Sequence, residues 1–332
     1  MFKKPLLAAA AIAASLVLLA GCSGTGGDTA STESDASFEA SFAVDGFVLG
    51  APVFVGLDKG YFDEENVKAS TVTFQTGVEG IQALSSGQVD YAVGLDFATI
   101  SSISENLVVV GAVASPDPGF HQIYFGQGIA KPSDLVGKKV GIIAGASQEY
   151  VTERWLSDNV PDGNVETVAL PGVFELVNAL KTGAVQAAFV FGPGIAQVKD
   201  DTSLTRYGDD SEQLTTQGIY LITTRANAED NPDQVAAVLR SIQKGNEFIA
   251  DDTDAAAQIV TTAVQGDIAA ITASLSTSNA GLSFTQDQLD VLHSVQEFLI
   301  DAGKVPAGTN IDNSLMLDQL REIIGADRVA TP

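Results

Sequence analysis

The chain has 332 residues, 45% of them hydrophobic, which is enough to build the cores of two domains. The formal net charge of −25 argues against a nucleic-acid partner, because binding to phosphates requires clustered Lys and Arg side chains. One Cys excludes a disulfide framework and a Cys-based zinc cluster, and two His residues leave little material for metal or triad chemistry. We therefore expect no cofactor and no resident metal ion.

The N-terminal segment has the pattern of a secretory signal. Lys3 and Lys4 precede an apolar run, residues 5–20, which is short for a membrane-spanning helix. The run ends in Leu19-Ala20-Gly21-Cys22, which resembles the lipobox of bacterial lipoproteins, whose Cys is lipid-modified and becomes the first residue of the mature chain. We predict a signal peptide at residues 1–21 and lipidation of Cys22. The alternative is that Cys22 is a buried or incidental thiol.

A polar segment follows Cys22. The sequence SGTGGDTASTESDAS consists of Gly, Ser, Thr and Ala with three acidic residues, so it cannot bury a core. It is typical of a flexible, charged tether, which we place at residues 22–38. The prediction is a folded body held at the outer face of the cytoplasmic membrane by a lipid anchor.

The first part of the folded body alternates strands with helices. A helix is expected to begin near Pro52 and to end at Gly60, and another begins at Val78. The β-branched and apolar runs between them predict strands at residues 38–48, 68–74, 91–95 and 107–114. The prolines and glycine of SPDPGF then break the pattern, and we place a first crossover between domains at residues 115–120.

The second part repeats this alternation. A helix capped by Ser147 is expected, and GIYLITT, at residues 218–224, reads as the strand that carries the chain back. From Pro232 the periodicity is helical, and we expect these late helices to pack on the first domain. The predicted strands of this part are 139–143, 165–170, 187–191 and 218–224.

One pattern occurs twice. Residues 83–93 read ALSSGQVDYAV and residues 179–190 read ALKTGAVQAAFV, so each copy predicts an amphipathic helix, a Gly that ends it (Gly87 or Gly183) and a short apolar strand. Two such units predict two α/β domains of similar plan with a ligand held between them, at the carboxyl ends of mostly parallel strands flanked by helices. We assign residues 39–117 and 226–332 to lobe 1 and residues 118–225 to lobe 2.

Several short motifs occur in an order that carries a family resemblance over about residues 40–260. They are Gly60-Tyr61-Phe62, Ala83-Leu84 with Gly87, Val89 and Asp90, the run from Asp134 to Gly141, the second Ala-Leu-x-x-Gly-x-Val, and Pro232 at the head of the returning helices. With them the chain resembles the solute-binding proteins of ABC importers, and more narrowly the nitrate, sulfonate, taurine and thiamine-pyrimidine binding group. Gln186 departs from that pattern, in which Asp is usual as at Asp90; we expect this Asp to be structural.

The resemblance implies a periplasmic-binding-protein type II fold. Two lobes joined by two crossovers, at residues 115–120 and 218–226, would close on a small-molecule solute in the manner of a Venus flytrap. The closed form would then dock on the transmembrane subunits of an ABC permease. We expect a monomer.

Residues at the ends of the predicted strands should supply the site. Ser147 and the backbone N–H groups after Gly145 form a helix N-terminus able to hold a polar or anionic group, although Ser147 can equally be only a helix cap. Asp45 and Asp96 can accept hydrogen bonds or balance a cation, or be loop residues. Four aromatic residues can clamp a planar ligand, or belong to the core. The candidates are Asp45, Phe47, Thr76, Gly77, Asp96 and Phe97 in lobe 1, and Gly145, Ser147, Gln148, Tyr150, Phe191 and Gly192 in lobe 2.

The positions of the basic residues limit the classes of solute that the site could bind. No Arg stands where a bidentate clamp on a sulfonate is natural. Five basic residues fall at strand starts or on helix bodies, away from the predicted strand ends: Lys138, Lys139, Arg154, Lys181 and Lys199. This favours a planar heterocycle such as a thiamine pyrimidine or a flavin-type vitamin precursor; a sulfonate, taurine, nitrate or bicarbonate is the alternative. The resembling group includes a pyrimidine synthase, which requires Cys and His residues that this chain lacks, so an enzyme is disfavoured. A surface lipoprotein without a transport role is the remaining alternative class.

Overall fold

The computed structural model describes residues 37–116, 118–161, 163–208 and 218–332. The predicted signal peptide, Cys22 and the tether up to residue 36 lie outside the described residues, so those assignments stay predictions. Among the described residues, no helix is long and apolar enough to cross a membrane.

Eleven strands and thirteen α-helices occur in the described part of the chain. The strands are β1 Phe38–Asp45, β2 Val67–Phe74, β3 Tyr91–Leu95, β4 Leu107–Ser115, β5 His121–Phe125, β6 Lys139–Ile142, β7 Glu166–Ala169, β8 Ala187–Phe191, β9 Thr205–Arg206, β10 Ile219–Thr224 and β11 Asn279–Ser283. The helices are α1 Ala51–Asp58, α2 Tyr61–Glu64, α3 Gly77–Ser85, α4 Asp96–Ser102, α5 Ser147–Asn159, α6 Val173–Lys181, α7 Pro193–Val198, α8 Arg225–Asp230, α9 Pro232–Asp251, α10 Thr253–Val264, α11 Ile268–Thr277, α12 Gln286–Asp301 and α13 Asp318–Ile324.

The strands form two sheets. The first has the order β11-β4-β10-β3-β1-β2 and the second the order β7-β6-β8-β5-β9. In each sheet a parallel group, β2-β1-β3 or β7-β6-β8, lies beside antiparallel neighbours. The expectation of mostly parallel sheets is therefore wrong: both sheets are mixed, because β5 enters the second sheet and β10 enters the first in the opposite direction.

The repeated pattern has the same structure in both copies. Gly87 and Gly183 have φ of 73° and 74°, and each donates its N–H to the Leu three residues earlier, Leu84 or Leu180. This is the predicted helix end, in a conformation that favours glycine. Leu84 and Leu180 are buried against β3 and β8 respectively, so each unit packs its helix on its own strand.

Asp90 and Gln186 hold equivalent points of the two sheets. The Asp90 carboxylate accepts from the backbone N–H of Ser41 at 2.8 Å and from its hydroxyl at 2.6 Å. The Gln186 side-chain oxygen accepts from the backbone N–H of Lys139 at 3.0 Å. Both side chains fasten a strand of the repeat to the neighbouring parallel strand, so the expected structural role of Asp90 is confirmed and Gln186 performs it with an amide.

The chain crosses between the two sheets twice, and the predicted positions of these crossings agree with the structure to different extents. The first is as predicted, because β4 ends at Ser115 and β5 begins at His121 in the other sheet. The second was placed too late. β10 pairs with β3 and β4, so residues 219–224 belong to the first sheet rather than to lobe 2, and the chain crosses between β9 and Ile219.

The late helices pack on the first sheet, as predicted. α9 contacts α1, α2, β4 and β11, and α13 contacts α9. β11 itself was not predicted: it pairs antiparallel with β4 at the edge of the sheet, between two helices. Its short sequence, NAGLS, carries little strand signal, so its pairing depends on the exposed edge of β4.

Close packing of α9 on α1 gives a test of this layer. An ideal Cβ at Gly245 would lie 2.4 Å from the carbonyl oxygen of Pro52, a distance that real contacts do not show. Gly245→Ala should lower the free energy of unfolding by about 1–3 kcal/mol, although alanine is by itself the better helix former. Urea denaturation measures the change. Gly308→Ala, where nothing lies within 4 Å, is the control and should be near neutral; an equal result for both variants would contradict the packing.

Candidate functional site

The carboxyl ends of the parallel strands in the two sheets face each other. A Cβ at Gly192, directly after β8, would lie 3.1 Å from the Phe47 ring, which follows β1. A Cβ at Gly145, after β6, would lie 3.9 Å from the side chain of Val78 at the start of α3. The loops that follow β1 and β2 therefore meet those that follow β6 and β8, where ligands of such sheets are expected.

A cavity of about 420 Å³ opens beside these contacts. Its volume is within the range of small-molecule pockets. Its wall comes from both sides of the contact and combines apolar groups with four uncharged polar side chains, one acid and one base. The lining residues are Val78, Gln82, Ser85, Phe97, Ser101, Ser102, Ala144, Gly145, Glu149, Leu299 and Lys304.

Asp96 is the first residue of α4 and is 1% exposed. Its Oδ1 accepts from the backbone N–H of Gly218 at 3.2 Å, whereas its Oδ2 has no hydrogen-bond partner among the described residues. Burial raises the pKa of this carboxyl to about 7, although the Gly218 N–H and the nearby Tyr220 hydroxyl act in the opposite direction. A buried oxygen without a partner is costly, so it is a candidate contact for a ligand.

Asp45 lies at the end of β1, next to β3 in the sheet. Its Oδ1 accepts from the backbone N–H of Gly50 at 3.3 Å. The residue is partly exposed, yet burial of its carboxyl group raises the pKa to about 6. Asp45 and Asp96 thus place two carboxyls, both easily protonated, at the ends of adjacent parallel strands.

Ser147 does not cap α5. The N-cap is Ala146, and Ser147 is the first helical residue. Glu149 Oε2 accepts from the backbone N–H of Gly145 at 2.9 Å, so this carboxylate holds the turn that precedes α5. The Ser147 hydroxyl is buried and has no partner among the described residues, and Ser147 is not among the residues that line the cavity.

Two other predicted residues of α5 have partners within the protein. The Gln148 amide donates to the carbonyl oxygens of Gly141 and Phe189 and accepts from the N–H of Ile143, so it ties α5 to β6 and β8. The Tyr150 hydroxyl lies 3.1 Å from that of Ser294. Gln148 therefore positions α5 within its own layer, and Tyr150 joins α5 to α12.

The four predicted clamp rings have different surroundings. Phe97 is 2% exposed and lines the cavity, and Phe47 covers Gly192. Phe191 stacks on Phe120 with ring centroids 5.8 Å apart, and Tyr150 meets Phe298 edge-on at 5.2 Å. Phe47 and Phe97 are thus the two rings with direct access to the contact between the loops.

Thr76 and Gly77 build the start of α3. The Thr76 hydroxyl accepts from the N–H of Glu79 at 3.2 Å, as an N-cap does. A Cβ at Gly77 would lie 3.2 Å from that of Ala98, so the absence of a side chain lets α3 approach α4 closely. Both residues thus fix the start of α3, next to Val78 in the cavity wall.

Lys304 is a site residue that sequence reasoning missed. Its ammonium forms an ion pair with Glu149 and lies 5.8 Å from the ring centroids of both Phe97 and Phe298. It is 155 residues distant from Glu149 in sequence, in a loop without periodicity, so no local pattern could have found it. Of the basic residues placed away from the strand ends, Lys139 pairs with Glu166, Arg154 with Asp158 and Lys181 with Asp201. Lys199 instead lines a second cavity, together with Gly192 and Phe120.

The sequence matches the model of a protein family. The model of the family described as "NMT1/THI5 like" matches residues 50–256, more than half of the chain.

Two curated proteins are similar to part of the chain. A Bacillus subtilis (strain 168) protein provisionally named as an aliphatic sulfonates-binding protein is 23% identical over 227 residues, which are 63% of this chain and 65% of that protein. The formylaminopyrimidine-binding protein of Halalkalibacterium halodurans is 25% identical over 221 residues, with the same coverage of 63% and 65%. The chain thus spans about 65% of the length of these relatives.

Solved structures show the fold. The periplasmic aliphatic sulphonate binding protein of Escherichia coli superposes with a TM-score of 0.71 at 16% identity, covering 85% of this chain and 92% of that one. The two-sheet α/β architecture is therefore that of the periplasmic binding proteins, as predicted.

Asp96→Asn should remove part of the pH dependence of stability. The folded-state pKa of Asp96 is about 7 and its ordinary value is 3.8, so its contribution is fully present below about pH 3.8 and is lost as the pH rises through about 7. From pH 5 to pH 8 the free energy of unfolding of the ligand-free protein should fall in both proteins. The fall should be about 1–4 kcal/mol smaller in the variant than in wild type. Urea denaturation at the two pH values measures this. Asp158→Asn, on the exposed side of α5, should leave the pH dependence as in wild type; the same behaviour for Asp96→Asn would show that Asp96 is not buried as described.

Proposed function

The chain belongs to the NMT1/THI5-like family, and from this premise we propose that it is a solute-binding protein that holds a small molecule between two lobes and delivers it to an ABC permease. One observation carries the proposal: Asp96 Oδ2 and Ser147 Oγ are buried without partners in the described residues, one at the start of α4 and the other at the start of α5. A solute that reaches both helix starts would satisfy both atoms. The names of the two curated relatives, both binding proteins, support the same role.

The proposed lobes are built on the two sheets. Lobe 1 comprises residues 39–117 and the returning helices to residue 332, and lobe 2 begins at residue 118. Because β10 lies in the first sheet, we place the end of lobe 2 before Ile219 instead of at 225. A solute shifts the equilibrium between open and closed lobes by the contacts that it makes only in the closed form.

For the solute we favour a planar heterocycle that carries N–H donors. Asp45 and Asp96 offer carboxyl oxygens at the ends of β1 and β3, and Phe47 and Phe97 offer ring faces. The relative that binds formylaminopyrimidine supports this class. The alternative is a sulfonate, taurine, nitrate or bicarbonate, which the helix N-termini of α3 and α5 and a protonated Asp96 could hold; the relative named for aliphatic sulfonates supports it.

We further propose an extracytoplasmic location, with a lipid on Cys22 and residues 22–38 as the tether. The working form is a monomer that binds the permease and carries out no chemistry. A surface lipoprotein without a transport role is the competing class, and it predicts no tight binding of small molecules.

Thermal melting against a panel of solutes tests the proposal. The protein is unfolded and refolded to remove bound solute, then melted with thiamine pyrimidines, riboflavin, nucleobases, taurine, alkanesulfonates, nitrate and bicarbonate. A true solute at a hundred times its dissociation constant should add about 2.7 kcal/mol of stability. A shift with a heterocycle supports the favoured class, and a shift with an anion supports the alternative. No shift with any of them would support the competing class.

Ser147→Ala tests the site itself. If the Ser147 hydroxyl binds the solute, its removal should raise the dissociation constant by about five- to thirtyfold, because the buried solute atom loses its partner. Isothermal titration with the solute identified in the panel measures this. Ser157→Ala, at an exposed position on the same helix, is the matched control. Equal affinity in the two variants would place the solute elsewhere.

A further inference from the structure

We infer that Lys304 is a positioning residue of this site, which joins the end of α12 to α5 and thereby fixes the turn that leads to Ser147. The inference rests on the proposed function for its consequence in binding. The contacts that carry it run in series from α12 to Lys304, then to Glu149, and finally to Gly145.

The backbone of Lys304 is held by the end of α12. Gly303 has φ of 66° and donates its N–H to the carbonyl oxygen of Ile300 at 2.9 Å, while the N–H of Lys304 donates to Leu299 at 2.8 Å. This pair of bonds is a Schellman motif, which directs the chain away from the helix in one defined direction. α12 packs on α4, so Lys304 projects from the layer of the first sheet.

The side chain of Lys304 reaches the other layer. Its ammonium pairs with Glu149 in α5, whose side chain is 8% exposed, against 34% for Lys304. The centroids of the Phe97 and Phe298 rings each lie 5.8 Å from the ammonium. A carboxylate that is so deeply buried requires a charged partner. Removal of Lys304 should therefore change the conformation of Glu149 more than that of the residues around position 304.

Glu149 transmits the position to the turn. Its second oxygen, Oε2, accepts from the N–H of Gly145, a residue with φ of 80°. Gly145 begins the turn that ends at Ser147, whose hydroxyl is buried without a partner in the described residues. An ion pair at one end of Glu149 and a backbone bond at the other therefore fix a single conformation of residues 143–147.

The neighbouring acid reinforces this dependence. Glu153 is one turn further along α5, and burial raises its pKa; Lys304 opposes the rise and Glu149 adds to it. Without Lys304 the two carboxylates would face each other without a cation, which favours a different side-chain arrangement of Glu149.

Hydrogen–deuterium exchange of the ligand-free protein tests the inference. In Lys304→Met the peptide that covers residues 143–150 should exchange about tenfold faster than in wild type, while Lys304→Arg restores slow exchange. Lys59→Met is the matched control: Lys59 also lies over a ring, that of Phe248, and near a carboxylate, Asp58, but within the layer of α1 and α9. Wild-type exchange in Lys304→Met, or failure of Lys304→Arg to restore it, would overturn the inference.

A double variant separates positioning from general loss of stability. Glu149→Gln should accelerate exchange of residues 143–150 by a similar factor, and Lys304→Met with Glu149→Gln should add little beyond either single variant, because both act through one link. Additive effects would contradict the series of contacts. No solute enters this measurement, so a negative result in the thermal panel would reject the proposed function and leave the positioning role to be judged by exchange alone.

Discussion

Parallel pairing of β1 with β2 and β3, and of β6 with β7 and β8, is the constraint on which the rest of the structure depends. A parallel strand can return to its neighbour only through a crossover, here helical, so each helix begins where a strand has ended. The N-termini of α3, α4 and α5 consequently lie at the same edge of their sheets, and the two edges face each other. The location of the candidate site follows from strand direction before any side chain is considered.

The two halves solve the same local problem with different side chains. In each half a glycine with positive φ ends the helix and a polar side chain then fastens the strand to its parallel neighbour. Asp90 does this by accepting from Ser41, and Gln186 by accepting from Lys139. A backbone N–H requires an acceptor and is indifferent to its charge, so Asp and Gln are interchangeable here. Residues of this kind look like candidates for function in a sequence, although their role is to set the register of the sheet.

Local signals were enough for most of the fold. The strands at residues 91–95 and 187–191 could be predicted to the residue, because each is a short apolar run directly after a glycine that ends a helix. Features set by distant partners could not be predicted in this way. The sheet to which β10 belongs depends on its pairing with β3 and β4, and β11 exists because β4 presents an edge. At the candidate site, Asp96 and Phe97 could be predicted because they come directly after β3. Lys304 could not be predicted, because its position depends on a contact with Glu149, 155 residues away in sequence. Ser147 is the first residue of α5 and not its cap, and Glu149 holds the preceding turn.

In the proposed site, part of the binding energy would come from buried polar atoms that have no hydrogen-bond partner in the ligand-free protein. Asp96 and Ser147 would each gain from a further partner, and burial raises the pKa of the Asp96 carboxyl because it disfavours the charged form. The surrounding contacts do the opposite: Gln148 saturates its amide with backbone groups, and Glu149 is held at both of its oxygens. Residues whose side chains are hydrogen-bonded within the protein thus lie beside two atoms that have no partner among the described residues. The cost of burying these two oxygens without partners is already present in the ligand-free protein. A solute that supplies the missing partners therefore gains affinity, and it does not have to order the site on binding.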